Sequence, residues 1–520
     1  MGQKGLQRAV KTATGGFEFP RIYSEDKKKL QRLLIQGRQD LVELSRWSLA
    51  DDFMHYVLEQ KFLEFADQTY PTPRSKTEVP VWFLICSQLV LHIHNRSSYT
   101  ELKTFLKAGT TLSRVGYNVG RPIGFNDKNK KVRKIPCDQD TVRKFFKDTN
   151  YQEMREWFCT TLQSWFLKNN GIDPEGVFIA DQSHVVVPDN ENYEDAIRMP
   201  VDEHGQLYKG TKEEIANYKY HPCYTLSTLL NLKSDKRSFH IAGYELGPGN
   251  EDEFPQAERM MERFVRSCGQ GIVKLLIVDR GYVSGEFMNL CKTDFQCDVL
   301  LPLKTNMAQY QDAIALSKSG DVSWETISDV EEENKRDRGD RFKVSSACTI
   351  SDIELWDTCK HPLYVTVIKD EKGNQWDTEE THYFVLCSTR KFSSPFQVYQ
   401  HYRLRSRVEE IYRQVKHVWQ LIKFPSPNRS LMEAHAGFIF LTYSLLNLYL
   451  RKTQQTDLIG KFLSTVQKEA MADDDDKTII SYADNVFGLF SIKEYLKLVC
   501  ELDEEPRQHF LECLNTVNQR

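Results

Sequence analysis

Residues 394–425 read SPFQVYQHYRLRSRVEEIYRQVKHVWQLIKFP. Ser394 is placed to cap a helix N-terminus, and Pro395 suits the first helical position. Phe424-Pro425 supplies a stop, because the residue before a proline is pushed out of helical geometry. The boundaries predict a single helix of roughly 25 residues. At about 100° per residue, Tyr402, Arg405, Glu409 and Lys416 fall within an arc of about 60°. Leu404, Val408, Ile411, Val415, Trp419 and Ile422 fall within a second arc of about 80°, centred roughly 110° from the first. The apolar arc fixes the helix to a core. The strip beside it carries one carboxylate, two cations and a phenol, and is placed to line a cleft. Glu410 sits about 100° from Glu409 and away from the apolar arc, so this geometry selects Glu409. Taken alone, the stretch is equally well read as a surface helix with ordinary ion pairs one turn apart, Arg405 to Glu409 among them.

Upstream, the pattern turns strand-like at Gly176. Residues 177–180 are apolar, then comes Asp181, then Val185-Val186-Val187. Residues 224–232 and 239–246 continue as strands, and 254–268 read as a helix. Lys274-Leu275-Leu276-Ile277-Val278 is a buried strand that ends at Asp279. A helix over 285–293 and a strand over 298–303 follow. Three strands before alternating helices and strands predict a mixed sheet with helices on its faces. A carboxylate within or directly after an apolar strand is costly unless something pairs with it. Metal ions would explain Asp181 and Asp279 together; Arg280 or another cation in a plain ion pair would explain Asp279 alone. Three carboxylates from two strands and a helix suit two hard cations about 4 Å apart. One Asp would bridge the ions, and Lys416, Arg405 and Tyr402 would hold phosphate oxygens beside them.

The 520 residues are 40% hydrophobic and 27% charged, a folded balance and not a disordered one. The length suggests about two to four domains. A net charge of −4 does not mark a nucleic-acid binder, but binding depends on where charge sits. Residues 1–34 hold eight Lys/Arg against three Asp/Glu, 128–147 eight against two, and 402–423 six against two. Each cluster can neutralise phosphates or simply be a solvated face. Residues 1–34 read as a basic arm, and 35–150 as helical, with a Ser97-Ser98-Tyr99-Thr100 break and a short basic helix over 138–147. Residues 305–392 are β-like, with a charged stretch at 331–341 and a turn at Lys372-Gly373-Asn374. The acidic run 473–476 reads as a solvated loop. No apolar run follows Met1, so no secretory signal is expected. Residues 437–450 are too short to cross a bilayer, which takes about 20 residues, and read as a buried helix. The 12 Cys residues include no CxxC pair and are expected to be reduced thiols.

Tyr402-x2-Arg405-x3-Glu409-x6-Lys416 resembles, at every spacing, the Tyr-Arg-Glu-Lys signature of DDE transposases of bacterial insertion sequences, the insertion-sequence-four type. Asp279-Arg280-Gly281-Tyr282 resembles that family's second-aspartate motif, and Gly249-Asn250-Glu251-Asp252 the segment between its two aspartates. Ile179-Ala180-Asp181-Gln182-Ser183 is similar to its first-aspartate strand, with Gln182 where Gly is common. Residues 136–146 resemble the helical domain only loosely. The resemblance covers roughly residues 80–450. It implies an α/β, RNase H-like catalytic core with a β-rich insertion, preceded by a helical N-terminal domain. The corresponding divisions are a basic arm 1–34, a helical DNA-binding domain 35–170, core 171–304, insertion 305–392, core 393–450 and a C-terminal helical region 451–520. Asp181, Asp279 and Glu409 would be the catalytic metal ligands, with two Mg²⁺ ions for which Mn²⁺ can substitute. Tyr402, Arg405, Lys416 and Arg280 would contact DNA. Expected partners are double-stranded DNA, as transposon ends and target, and a second copy of the chain in a synaptic complex. No membrane is expected, and the setting would be the prokaryotic cytoplasm, acting on the chromosome. Ser406 departs from the family's usual Trp after the signature Arg; Trp376 in the insertion is an alternative stacking residue or a structural tryptophan.

Two other readings stay open on sequence. Another RNase H-like nuclease would share the three carboxylates without the Tyr-Arg-Glu-Lys strip. A transposase-derived DNA-binding protein would need no catalysis, although the intact carboxylates speak against it.

Overall fold

The structure, a computed structural model, describes residues 22–23, 26–36, 38–45, 49–73, 79–106, 137–204, 206–208, 218–235, 238–319, 322–326, 344–371, 381–470, 478–483, 486–505 and 507–508. Trp376, the 331–341 stretch, the 372–374 turn, the 473–476 run and residues 128–136 of the 128–147 cluster lie outside these residues. The chain divides into two compact units, Met1–Trp157 with Val415–Arg520, and Phe158–Gln414.

The second unit is built on a ten-stranded mixed sheet. Its Asp181 strand, Val177–Val186, lies antiparallel to Lys219–Leu232, whose other edge pairs with Phe239–Pro248 and with Ile197–Val201. On its opposite edge the Asp181 strand pairs in parallel with Leu275–Ile277, which in turn pairs in parallel with Asp298–Pro302. The parallel strands need crossovers, and helices supply them: Glu253–Cys268 precedes Leu275–Ile277, and Gly285–Thr293 follows it. From Pro222 onward every residue of the long central strand is buried, as are most of Phe239–Pro248. These strands are covered on both faces, which explains why they read as continuous apolar runs.

The region 305–392 is less separate than its sequence suggests. Thr381–Ser388 pairs antiparallel with Asp298–Pro302, and Leu363–Glu371, Val344–Ile353 and Glu325–Thr326 follow in order. Its strands therefore extend the same sheet. It also carries a helix, Ala308–Ser317, which the sequence pattern does not announce.

The first unit holds helices Leu49–Glu59, Phe62–Thr69, Val81–Ile93, Gln139–Asp148 and Arg429–Lys452. Val81–Ile93 is buried at every residue, and Arg429–Lys452 at 20 of its 24. A helix apolar on all sides belongs inside a core, as expected of 437–450. Phe146 and Tyr70 pack their rings on Phe438 at 5.2 and 6.2 Å between centroids. The Arg155 guanidinium grips buried Glu433 through two hydrogen bonds, at 2.8 and 2.6 Å. Two features differ from the sequence reading. The basic arm contains, from residue 27, a helix Lys27–Ile35 whose Leu30 and Leu34 are buried with Phe490, Tyr495 and Leu502. Residues 451–520 are not purely helical, since Thr478–Ala483 and Val486–Ser491 form a four-stranded sheet with Gln39–Ser45 and Ile22–Tyr23. Among the described residues no helix is long and apolar enough to cross a membrane.

Candidate active site

The 394–425 stretch is helical without a break from Pro395 to Val418, but not as one regular α-helix. It runs as Pro395–Arg403, a 3-10 turn Leu404–Ser406, helix Arg407–Arg413 and a π turn Gln414–Val418. Ser394 caps the start as expected, accepting from the Gln397 N–H at 3.3 Å. The Ser406 hydroxyl donates to the Arg403 carbonyl at 2.8 Å, a local bond that competes with regular helix and favours the tighter turn. A 3-10 turn winds more tightly than an α-helix and a π turn more loosely, so the ideal wheel misplaces residues at both ends of the stretch. Val408, Ile411, Val415 and Trp419 are buried as that wheel requires, while Leu404 and Ile422 are only half-buried.

The helix Arg407–Arg413 is held to the sheet by Tyr412. Its hydroxyl donates to the Asp181 carbonyl at 2.5 Å and accepts from Thr228 Oγ1 at 2.9 Å. Asp181 lies on its strand opposite Thr228. Asp279 follows Leu275–Ile277, the strand parallel to Val177–Val186, and its Oδ1 accepts from the Arg280 N–H at 2.7 Å. The sheet thus brings two carboxylates from adjacent parallel strands to one place, and Arg405 reaches both. Its Nη2 lies 3.0 Å from Asp279 Oδ2 and 3.4 Å from Asp181 Oδ2, and its Nη1 lies 3.7 Å from Glu409 Oε1. The three carboxylates differ in exposure: the side chain of Asp181 is 11% exposed, that of Asp279 31% and that of Glu409 67%.

Burial pushes the Asp181 carboxyl up to about 6. Arg405 opposes that rise, while Asp279 and Glu409 add to it. Burial also works against the Arg405 charge, but Asp181, Asp279, Tyr402 and Glu409 outweigh it and raise its pKa. Tyr402 is half-buried, with its ring 5.5 Å from that of Phe384. Burial raises its phenol, and Asp279 and Asp181 contribute in the same direction.

The structure therefore gathers Asp181, Asp279, Glu409, Arg405 and Tyr402 in one unit. Arg280 is exposed, and the partner of Asp279 is Arg405. Glu410 faces elsewhere, with Arg413 and Gln414 at 2.6 and 2.8 Å. Lys416 belongs to the other unit, half-buried in the π turn Gln414–Val418. The wheel's four-residue strip assumes one regular helix, whereas Lys416 lies within the π turn Gln414–Val418.

Sequence reasoning passed over Tyr412 and Glu253. Glu253 opens the helix Glu253–Cys268, and its half-buried carboxyl is raised by burial first, then by Asp181 and Asp279. The Gly249-Asn250-Glu251-Asp252 segment leads into it. Gln182, the residue after Asp181, donates to the Glu251 carbonyl at 3.1 Å. That link ties the Asp181 strand to the start of the helix.

Among the described residues no three His, Cys, Asp or Glu side chains stand together as a ready metal cage. The guanidinium of Arg405 takes the space between the two aspartates instead. The donor set nevertheless fits a hard divalent cation, being all carboxylate oxygen, and Arg405 marks with its own charge where a cation is stabilised.

A family model described as a transposase DDE domain matches residues 173–445. That is more than half of the chain, and the chain belongs to this family. The match takes in the whole ten-stranded sheet and every carboxylate described above. No curated protein matches the chain.

Proposed function

We propose that this chain is a DNA transposase that cuts at transposon ends and joins them to target DNA, with an RNase H-like core in which Asp181, Asp279 and Glu409 are the catalytic, metal-holding carboxylates. The observation that carries the reading is the meeting of these three side chains on one guanidinium. The strand order supports the core assignment: with the short edge strand Ile197–Val201 set aside, three antiparallel strands stand as third, second and first along the chain, with two further strands parallel to the first. Two Mg²⁺ ions, or Mn²⁺ in their place, would supply Lewis acidity to the attacking and leaving oxygens of a phosphodiester.

The residues of the chain do the rest. Asp181 and Asp279 are fixed by the sheet, and Glu409 by the Tyr412 anchor, so the carboxylates are preorganised. One guanidinium cannot balance Asp181, Asp279, Glu409 and Glu253 together, so the cluster calls for further positive charge. Once the aspartates are otherwise neutralised, Arg405 is released, and its planar fork suits phosphate oxygens. Tyr402, Arg280 and Lys416 add contacts to the DNA backbone, which position it without reading sequence. The DNA is double-stranded, as element ends and as target. A homodimer would hold two ends, in the prokaryotic cytoplasm, with the chromosome as target. The helical region 35–170 is the proposed DNA-binding domain.

The test is strand transfer. Inverted repeats flanking the gene should, as short duplexes with Mg²⁺ and the purified chain, be joined to a supercoiled plasmid. Nicking without joining would favour a nuclease of the same fold, and neither reaction would favour a DNA-binding derivative.

A further inference from the structure

We propose that Glu253 is a fourth oxygen donor to the cations held at Asp181 and Asp279; the inference rests on the reading of those aspartates as metal carboxylates.

Four observations converge on it. First, Glu253 is fixed from behind. Its helix buries Met260, Met261 and Phe264, and Phe264 packs on Phe178 of the Asp181 strand at 5.3 Å between rings. Gln182 also donates to Gln256 Oε1, one turn into the helix, at 3.1 Å. Gln256 is itself fully buried and bonded to Thr225, Ser227 and Glu251. The helix start therefore moves with the Asp181 strand.

Second, the Glu253 carboxylate lies against Gly281, two residues after Asp279. A Cβ built on Gly281 would overlap that carboxylate. The glycine of Asp279-Arg280-Gly281-Tyr282 thus leaves room for an acid arriving from another element.

Third, the Glu253 carboxylate makes no hydrogen bond or ion pair with a described residue, although it is half-buried. Arg405 and Lys304 only temper its charge from further off. A carboxylate in that position gains from a cation.

Fourth, Tyr282 is 1% exposed, and its hydroxyl has no hydrogen-bond partner. The charged groups that act on it, in order, are Glu253, Asp181 and Asp279, with the Tyr412 phenol between the aspartates. A buried, unpartnered phenol within the field of these carboxylates is a ready donor for an oxygen held there.

The test is Mn²⁺ binding by the full chain without DNA, read by the loss of the free-ion electron paramagnetic resonance signal, with circular dichroism as the folding check. Glu253→Gln keeps the shape and removes the charge. Its Mn²⁺ affinity is expected to fall about tenfold or more. Gly281→Ala keeps the charge but forces the carboxylate aside, and should weaken Mn²⁺ by a similar factor. It carries the test alone if Glu253→Gln does not fold. Wild-type affinity in the folded variants, with binding lost in Asp279→Asn, overturns the role of Glu253 and leaves the reading of the aspartates standing. Wild-type affinity in Asp279→Asn as well overturns that reading, and the inference with it.

Discussion

The Tyr412 hydroxyl donates to the backbone carbonyl of Asp181 at 2.5 Å, so the helix that carries Glu409 is registered on the strand that carries Asp181. The same oxygen accepts from Thr228, directly across the strand pair from Asp181. Tyr412→Phe removes both bonds and leaves a buried threonine hydroxyl short of a partner. The expected cost is about 1–2 kcal/mol in urea unfolding. Cleavage should fall by more than that loss of folded protein explains, because Glu409 loses its register. Cleavage at the wild-type rate under conditions where the variant is fully folded would remove Tyr412 from the positioning of Glu409.

Asp181 gives a stability prediction with a definite sign. Its carboxyl is pushed up to about 6 from an ordinary 3.8. A group that holds its proton more tightly when folded favours the folded chain below its unfolded pKa, and loses that contribution as pH rises through the folded one. The contribution is thus present below about pH 4 and gone above about pH 6. Asp181→Asn keeps the neutral shape at every pH. In metal-free buffer it should melt about 2 °C or more above wild type at pH 7.5, and close to wild type at pH 4. A lower melting point at pH 7.5 would mean that the Arg405 pairing outweighs the burial.

Arg405 is the cation that holds this cluster together when no other is bound. Arg405→Ala leaves Asp181, Asp279 and Glu409 without it, at a cost of up to about 3 kcal/mol, the low end for breaking a buried pair. Mg²⁺ should recover more of the melting temperature in the variant than it adds to wild type. An equal Mg²⁺ shift in both proteins would show that the guanidinium and the metal do not share a site.

Much of the site is legible in the sequence for a simple reason. Asp181 and Asp279 interrupt or end apolar strands, where a carboxylate has to be accounted for. Strand pairing then follows from period and burial, and Val177–Val186, Phe239–Pro248 and Leu275–Ile277 stand close to where the pattern puts them. Glu253 is not legible, because acids in a first helical turn are ordinary partners of the helix dipole. Only the space left at Gly281 reveals its direction. Tyr412 falls between the two arcs of the ideal wheel and attracts no notice until its hydroxyl is seen on Asp181. The 3-10 and π turns are invisible to a wheel with one fixed angle, so its angles hold only for the α-helical segments Pro395–Arg403 and Arg407–Arg413. The small sheet of the first unit joins Gln39–Ser45 to Thr478–Ala483, partners too far apart in sequence for any local pattern to link.

Glu409 and Glu410 are neighbours with opposite commitments. Glu409 faces Arg405 and the aspartates, whereas Glu410 is taken by Arg413 and Gln414. Glu409→Gln should reduce cleavage by more than the roughly 10–100-fold that losing an outer partner of a metal ligand costs. Glu410→Gln should stay within a few-fold of wild type. The comparison is made across a range of Mn²⁺ concentrations, since a weakened ligand set shows itself as a higher metal requirement. A dead Glu410 variant beside an active Glu409 variant would mean that the helix presents its other face.

The most direct measurement of the central claim is metal-dependent cleavage of duplex DNA from the borders of the gene, by wild type and by Asp279→Asn, with a gel shift on the same DNA. Wild type is expected to cut at the ends with Mg²⁺ or Mn²⁺ and not with EDTA. Asp279→Asn is expected to shift the DNA as wild type does and to leave it uncut. Cutting by Asp279→Asn, or cutting by wild type in EDTA, would contradict a carboxylate-held metal as the catalytic centre.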